Sequence, residues 1–299
     1  MYKAQTNHLI YMDECKVHEK ELDRVRKEIM KVLNRYEIRD YNEKIERGLR
    51  TFVLRGFNGE YQCTLVTGRM TLSPAMIEDC LKIKGVVSIY QNIQISQKQY
   101  EVFSNEFVHL GGKKKLLLEI DGIKLHLSPA SFFQLNLDQA KVLYKKVVEL
   151  IEPCDFLVEA YSGVGAISLF ASSKAKRVLG IENNLSAVKN AKENARMNHC
   201  DHVDFLCGDA AKVLREKLSE KVDCLVVDPP RSGLDDAMIE TIIKAKPKQI
   251  IYISCNPATL GKNLSQLSKR YEVERVIPLD MFPQTPHVET VVLLSRIKG

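Results

Sequence analysis

Three polar segments in the C-terminal half of the chain could do chemistry together: Asp228-Pro229-Pro230-Arg231, Ser254-Cys255-Asn256-Pro257 and His287-Val288-Glu289. Cys255 closes an apolar strand-like run and Glu289 stands just before another, which offers a nucleophile and a base. A thiolate that adds to an electron-poor ring carbon makes the neighbouring carbon nucleophilic. A carboxylate can then remove the proton that lets the thiolate leave. For a pyrimidine this means addition at C6 and reaction at C5, because C5 of uracil is by itself a poor nucleophile. Such chemistry also needs an electrophile, and hence a donor pocket.

Donor signals sit at three successive strand ends. The first is Glu159-Ala160-Tyr161-Ser162-Gly163-Val164-Gly165, where Gly163 and Gly165 allow a tight turn and close backbone approach to a ligand. The second is Glu182, placed where a carboxylate takes both hydroxyls of a ribose. The third is Asp209, which could accept from an adenine amine. Taken singly, either acid reads more readily as a helix cap or a solvated loop acid. Together they point to a nucleoside cofactor. The third glycine of a dinucleotide fingerprint is replaced by Ser168, which favours S-adenosylmethionine over NAD.

The elements that must position these groups follow a regular rhythm. A helix over 137–151 precedes apolar strands at 156–160, 178–182, 203–207, 222–227 and 249–254, separated by helix-compatible stretches, with a last strand at 290–295. That alternation predicts an α/β, doubly wound, mostly parallel Rossmann-like sheet, whose ligands bind at the carboxyl ends of the strands. Residues 126–299 are assigned to it. Residues 1–125 form a smaller α/β domain. It has a strand-like start at Leu9-Ile10-Tyr11, a charged helix over 17–36, strands at 51–55 and 61–66 around Asn58-Gly59, a helix opened by Ser73-Pro74, and a strand at 86–90.

Bulk properties narrow the class. The 299 residues carry a net charge of +6, which suits a polyanionic partner without requiring one. No apolar run approaches the roughly 18 residues of a membrane span, and the N-terminus has no apolar signal core. None of the eight cysteines forms a Cys-x-x-Cys pair, so they read as reduced thiols of a cytoplasmic protein without a metal or iron–sulfur cluster.

With Ser131-Phe132-Phe133-Gln134-Leu135-Asn136, the glycine turn, Asp228-Pro229-Pro230-Arg231, Ser254-Cys255-Asn256-Pro257-Ala258-Thr259-Leu260 and Met281-Phe282-Pro283-Gln284-Thr285-Pro286-His287-Val288-Glu289, the chain resembles the RNA uracil-C5 methyltransferases, which make 5-methyluridine in ribosomal and transfer RNA. The resemblance runs from about Asn7 to Arg296. It implies Cys255 as nucleophile and Glu289 as base, and Phe132, Asp228 and Arg231 at the flipped base. Gln134, Tyr161, Gly163, Gly165, Glu182, Asp209 and Asp228 would line the S-adenosylmethionine site. It also implies a monomer acting on structured RNA, with ribosomal RNA ahead of transfer RNA. Glu159 and Ser162 depart from the Asp and Cys common at those places. Many members carry a front β-barrel RNA-binding domain, and some an iron–sulfur cluster. This chain begins within the following segment, as a short form or a fragment, with Cys15 matching only the last cluster cysteine.

Other readings explain less. Cytosine C5 as target lacks the second motif cysteine expected after Asp228. A Cys255–His287 hydrolase leaves the donor pocket without a purpose. A non-catalytic RNA-binding or remodelling protein would not need the thiol.

Overall fold

In the first of two compact units, residues 1–116, the sequence's turn chemistry sets the topology. The computed structural model describes residue 6 and residues 19–95, 102–217 and 219–297. The expected start at Leu9-Ile10-Tyr11, Cys15 and the first turn of the 17–36 helix lie outside the described residues. Helix α1 (Lys20–Arg35) presents Val25, Ile29, Val32 and Leu33 on one buried face. Strands β1 (Leu49–Phe57) and β2 (Glu60–Thr67) form an antiparallel hairpin, its two-residue turn made by Asn58 at φ 53° and Gly59 at φ 79°. Both positive values are what a type I′ turn demands. Helix α2 (Pro74–Leu81) then crosses to β3 (Val86–Ile93), parallel to β2, and β4 (Phe107–Gly112) pairs antiparallel with β3. Along β2, Tyr61, Cys63 and Leu65 join the α1 and α2 side chains in one core, while Gln62 on the opposite face donates to Ser88 at 3.1 Å.

The second unit, residues 117–299, begins in a hairpin of β5 (Leu116–Ile120) and β6 (Ile123–Leu127) around Asp121-Gly122. This division falls earlier than the 125/126 boundary read from the sequence. The hairpin belongs with the second unit because the side chains of Asn194 and Asn198 hold the backbone of His126 and Lys124.

Next come α3 (Leu137–Leu150), β7 (Cys154–Ala160), α4 (Ala166–Phe170), β8 (Ala175–Glu182), α5 (Leu185–Met197) and β9 (Val203–Cys207). They are followed by α6 (Ala210–Glu216), β10 (Cys224–Val227), α7 (Asp236–Ala245), β11 (Gln249–Ser254), α8 (Pro257–Leu267), β12 (Tyr271–Leu279) and β13 (Glu289–Arg296). The seven-stranded sheet runs β12-β13-β11-β10-β7-β8-β9. Strands β7 to β11 are mutually parallel, and β13 is antiparallel to both its neighbours. The fold is the α/β, doubly wound, mostly parallel Rossmann-like sheet expected.

Strand β12 was not foreseen; its stretch reads as a helix-compatible connection. It is an edge strand in which Tyr271, Val273, Ile277 and Leu279 alternate, but a register shift between Val273 and Arg275 and the exposed Glu272, Glu274, Arg275 and Pro278 interrupt the pattern. Charge and proline on an edge blunt it against further strand pairing.

The alternation of side chains along the parallel strands builds two apolar layers. Phe156, Val158, Leu179, Ile181, Leu225, Val227, Ile250 and Tyr252 pack with Leu214, Met238, Ile242 and Leu260 from α6, α7 and α8. The intervening residues, Glu159 and Phe205 among them, face the side of α3, α4 and α5, where Phe205 lies against Gly165 and Glu159 meets Ser168. Each large aliphatic side chain so buried contributes about 1.5–3 kcal/mol. Both layers lock the strand ends in register, and the site is built on those ends.

Candidate active site

The chain reverses winding direction between β7 and β10, which are sheet neighbours although β8 and β9 intervene in sequence. The crevice at such a switch point is where doubly wound sheets bind ligands. One half of the strand ends, β7-β8-β9, carries the donor signals. The other half, β10-β11-β13, carries the thiol and the acids.

In the donor half, Gly163 at φ 53° and Gly165 at φ 82° shape the turn. A Cβ on Gly165 would sit 2.5 Å from the Phe205 ring, so α4 can lie this close to the sheet only with glycine there. A Cβ on Gly163 would meet nothing within 4 Å, which leaves the turn open on its outer side. Glu182 accepts from the Gly163 amide at 3.0 Å and from the Asn184 amide at 2.8 Å. The acid therefore ties the two loops together and still has lone pairs for ribose hydroxyls. Asp209 caps α6 by accepting from Lys212 N at 2.9 Å through Oδ1, so the cap reading of this residue holds; Oδ2 is left for a ligand. Tyr161, at φ 66°, packs on the core edge. Its hydroxyl is pushed up by burial and then by the charges of Asp235 and Asp209.

In the acceptor half, the last rung of the β11–β13 ladder pairs Ser254 with Thr290. Cys255 and Glu289 are the next residues on the two strands, both beyond that rung, and the Glu289 charge acts on the Cys255 thiol. Asp228 follows β10 on the adjacent strand. Burial and the nearby Glu289 carboxylate push its carboxyl up to about 7. Burial also raises Glu289, with Arg231 acting in the opposite direction. The Cys255 thiol is raised by burial first and Glu289 second; Arg231 opposes both.

Arg231 is held from several sides. Its carbonyl accepts from Asn256 Nδ2 at 3.1 Å and Thr259 Oγ1 at 3.2 Å, and its Nη2 lies 3.1 Å from His287 Nδ1. His287 thus faces a cation, a poor arrangement for a base serving Cys255 in hydrolysis. Sequence reasoning gave Arg231 to the substrate and did not see it as the cation beside the thiol. It also missed Asn256, whose Oδ1 caps α8 while its amide holds the Arg231 loop.

The segment 131–136 lies apart from these strand ends in sequence. Phe133 is buried with its ring 6.3 Å from that of Tyr144, whereas Phe132 is 75% exposed, free to meet a ligand. Gln134 is half-buried between them and the helix. The cap of α3 is Asn136: it accepts from Gln139 N at 3.2 Å and donates to Met281 O at 2.9 Å. That second bond ties this loop to the segment leading to His287 and Glu289. Among the described residues, no three His, Cys, Asp or Glu side chains cluster as metal ligands, and no helix is long and apolar enough to cross a membrane.

The model of the family described as tRNA (uracil-5-)-methyltransferase matches residues 1–297. The chain belongs to this family. A Bacillus cereus protein described as an uncharacterized RNA methyltransferase is 37% identical over 308 residues, covering 99% of this chain and 67% of the relative. One from Lactobacillus johnsonii with the same description is 36% identical over 309 residues, covering 100% of this chain and 67% of the relative. The chain thus spans about two thirds of the length of these family members. Among solved structures, the Pyrococcus abyssi tRNA (uracil-54, C5)-methyltransferase in complex with S-adenosyl-L-homocysteine superposes with a TM-score of 0.80 at 30% identity, covering 96% of this chain and 70% of that one. Pyrococcus abyssi Trm5b, at 17% identity and a TM-score of 0.56, shares the fold alone.

Proposed function

We propose that this family member methylates C5 of uracil in a structured RNA with S-adenosylmethionine as donor. The observation that carries the reading is the placement of Cys255 and Glu289 on adjacent strands just beyond the last Ser254–Thr290 rung, in the same sheet as a donor half with an open glycine turn. The open flank of Gly163, the Glu182 carboxylate, Asp209 Oδ2, Tyr161 and Gln134 fit the donor, and the homocysteine nucleoside held by the Pyrococcus relative supports that choice. The bound donor supplies an electrophilic methyl group.

The protein does the rest. A target base inside an RNA fold must be extruded to reach a thiol set among strand ends, and packing on the exposed Phe132 ring offsets part of the unstacking cost. Asp228 accepts from uracil N3–H, where cytosine presents a lone pair. The Cys255 thiolate adds to C6, and the electrons that reach the ring oxygen make C5 nucleophilic. Arg231 stabilises negative charge first on sulfur and then on the ring. After methyl transfer Glu289 takes the C5 proton and the C6–S bond breaks, regenerating the thiolate.

A uridine of ribosomal RNA is the first acceptor proposed. A transfer RNA uridine is the second, supported by the Pyrococcus neighbour named for that substrate. The test is incubation with S-adenosylmethionine and 5-fluorouridine transcripts of both kinds, followed by a denaturing gel. Fluorine cannot leave C5 as a proton does, so a covalent protein–RNA band should appear with the true acceptor and vanish in Cys255→Ala. With ordinary uridine, Glu289→Gln should accumulate the same kind of band. No band with either RNA, from protein that binds S-adenosylhomocysteine, would sink the proposal.

A further inference from the structure

Helix α5 carries Asn190 and Asn194, and Asn198 caps its C-terminal end; at four-residue spacing their amides form a column on one face. A two-stranded hairpin leaves an open edge of backbone donors and acceptors, and a side-chain amide has the same donor–acceptor pair as a peptide group. The lower two asparagines serve that edge. Asn198 accepts from Lys124 N at 2.8 Å and donates to Lys124 O at 2.7 Å. Asn194 accepts from His126 N at 2.7 Å and donates to Val164 O at 3.0 Å.

Asn190 breaks the pattern. Its Nδ2 donates to Ser128 Oγ at 2.7 Å and to Ser131 Oγ at 2.8 Å, and its Oδ1 accepts from Ser128 Oγ at 3.0 Å. It grips hydroxyls of the segment that continues beyond β6, and it is 1% exposed. Ser131, itself buried, is the residue immediately before Phe132. The next fixed points are the buried Phe133 ring and Asn136 on Met281 O. Phe132 therefore stands out between two anchors, and Asn190 is the anchor on its N-terminal side.

We infer that Asn190 is a positioning residue, which through Ser131 sets the direction in which Phe132, and with it Gln134, meets the target base. What the loop holds rests on the uracil-methylation reading; that Asn190 holds the loop does not. The chain contains no tryptophan, so a Phe132→Trp variant carries a single tryptophan, at the loop, that can be excited apart from the tyrosines. Adding Asn190→Ala should lower the anisotropy of that fluorophore and expose it to quencher. Adding Asn198→Ala, which cuts similar bonds at the far end of the column, should not.

With Phe132 in place, Asn190→Ala should slow adduct formation on 5-fluorouridine RNA by about ten- to a hundredfold, the usual effect of misplacing a contact by about an ångström. Ser131→Ala, which removes one of the same bonds from the other side, should slow it too. The two substitutions should combine less than additively. Equal slowing by Asn190→Ala and Asn198→Ala would overturn the inference by reducing it to general destabilisation. Unchanged anisotropy in Asn190→Ala would overturn it outright. Anisotropy that falls as expected, in a protein whose unsubstituted form makes no adduct, would uphold the anchoring and defeat the proposed reaction instead.

Discussion

Ser168 donates its hydroxyl hydrogen to the carboxyl of Glu159, and both side chains are buried on the face of the sheet covered by α3, α4 and α5. Burial pushes Glu159 up to about 8; the Ser168 bond pulls it down, and the charge of Asp228 pushes it up again. Near neutrality the donor half therefore rests on a mostly protonated acid. Because the folded value lies above the ordinary 4.5, the native state binds the extra proton. Stability is then fully present below pH 4.5 and is lost as the pH rises toward and through about 8. Asp228, raised to about 7, adds a slope of the same sign. Glu159→Gln keeps a partner for Ser168 and cannot ionise. Its urea midpoint should fall less than that of the unsubstituted protein across this window, and parallel curves would remove Glu159 as the source.

Arg231 opposes the influences that hold the Cys255 thiol above its usual range, burial first, then Glu289 and Asp228. Addition to C6 needs the thiolate, so the rate of adduct formation should climb with pH through the alkaline range. Arg231→Met removes the opposing cation. The rising limb should move to higher pH, with about a tenfold slower rate at neutrality for each unit that the thiol is raised. Arg231→Lys keeps the charge but gives up the planar fork that meets His287, so its profile should fall between the two. Stopped adduct assays across a pH series read this directly. A limb that stays in place in Arg231→Met would assign the arginine to RNA contact alone.

The parallel strands were legible because they are buried on both faces and read as continuous apolar runs, and their ends located Glu182, Asp209, Asp228 and Cys255. Two kinds of feature escaped. Strand β12 alternates through Tyr271, Val273, Ile277 and Leu279, but Arg275 at a register shift and Pro278 break the run, so it reads as a connection. The β5–β6 hairpin did carry one, since Asp121-Gly122 stands between alternating Leu116, Leu118, Ile120 and Leu125, Leu127, and it was overlooked in favour of the stronger rhythm that follows. The polar residues that aim the site, Asn136, Asn190, Asn256 and Asn263, were illegible for a different reason. Each acts on a partner distant in the chain or on a neighbouring loop, and spacing along one sequence records neither.

Ser162 closes β7 through its backbone, donating to Ile181 O at 3.0 Å and accepting from Gly165 N at 2.8 Å. Its hydroxyl, in contrast, is buried without a hydrogen-bond partner among the described residues. A polar group left unpaired in the interior contributes nothing to hold the turn and costs stability. Ser162→Ala should therefore be neutral or stabilising by up to about 1 kcal/mol, with S-adenosylhomocysteine affinity unchanged. Urea unfolding and a calorimetric titration check both parts. A loss of affinity in the alanine variant would mean that the hydroxyl meets the donor.

Asn263 is the fastening of the loop that follows Arg231. Its Oδ1 accepts from Leu234 N at 2.9 Å and from Tyr252 OH at 2.8 Å, and its Nδ2 donates to Leu234 O at 3.0 Å. The residue is buried, and the left-handed Gly233 (φ 77°) beside it has no room for a side chain, since a Cβ would come 2.6 Å from Asn263 Oδ1. Asn263→Ala leaves the Leu234 peptide group and the Tyr252 hydroxyl unpaired, a loss of about 2 kcal/mol or more. Asn263→Asp keeps both bonds to Oδ1 but gives up the donations to Leu234 O and Gln266 Oε1 and turns a buried carboxyl toward both oxygens, so it should be destabilised as well. The adduct rate should fall in both variants at temperatures where the proteins stay folded, because the loop that loosens is the one that carries Arg231 toward Cys255. An alanine variant that is less stable yet forms adduct at the full rate would show that Asn256 and Thr259 alone suffice to hold Arg231 in place.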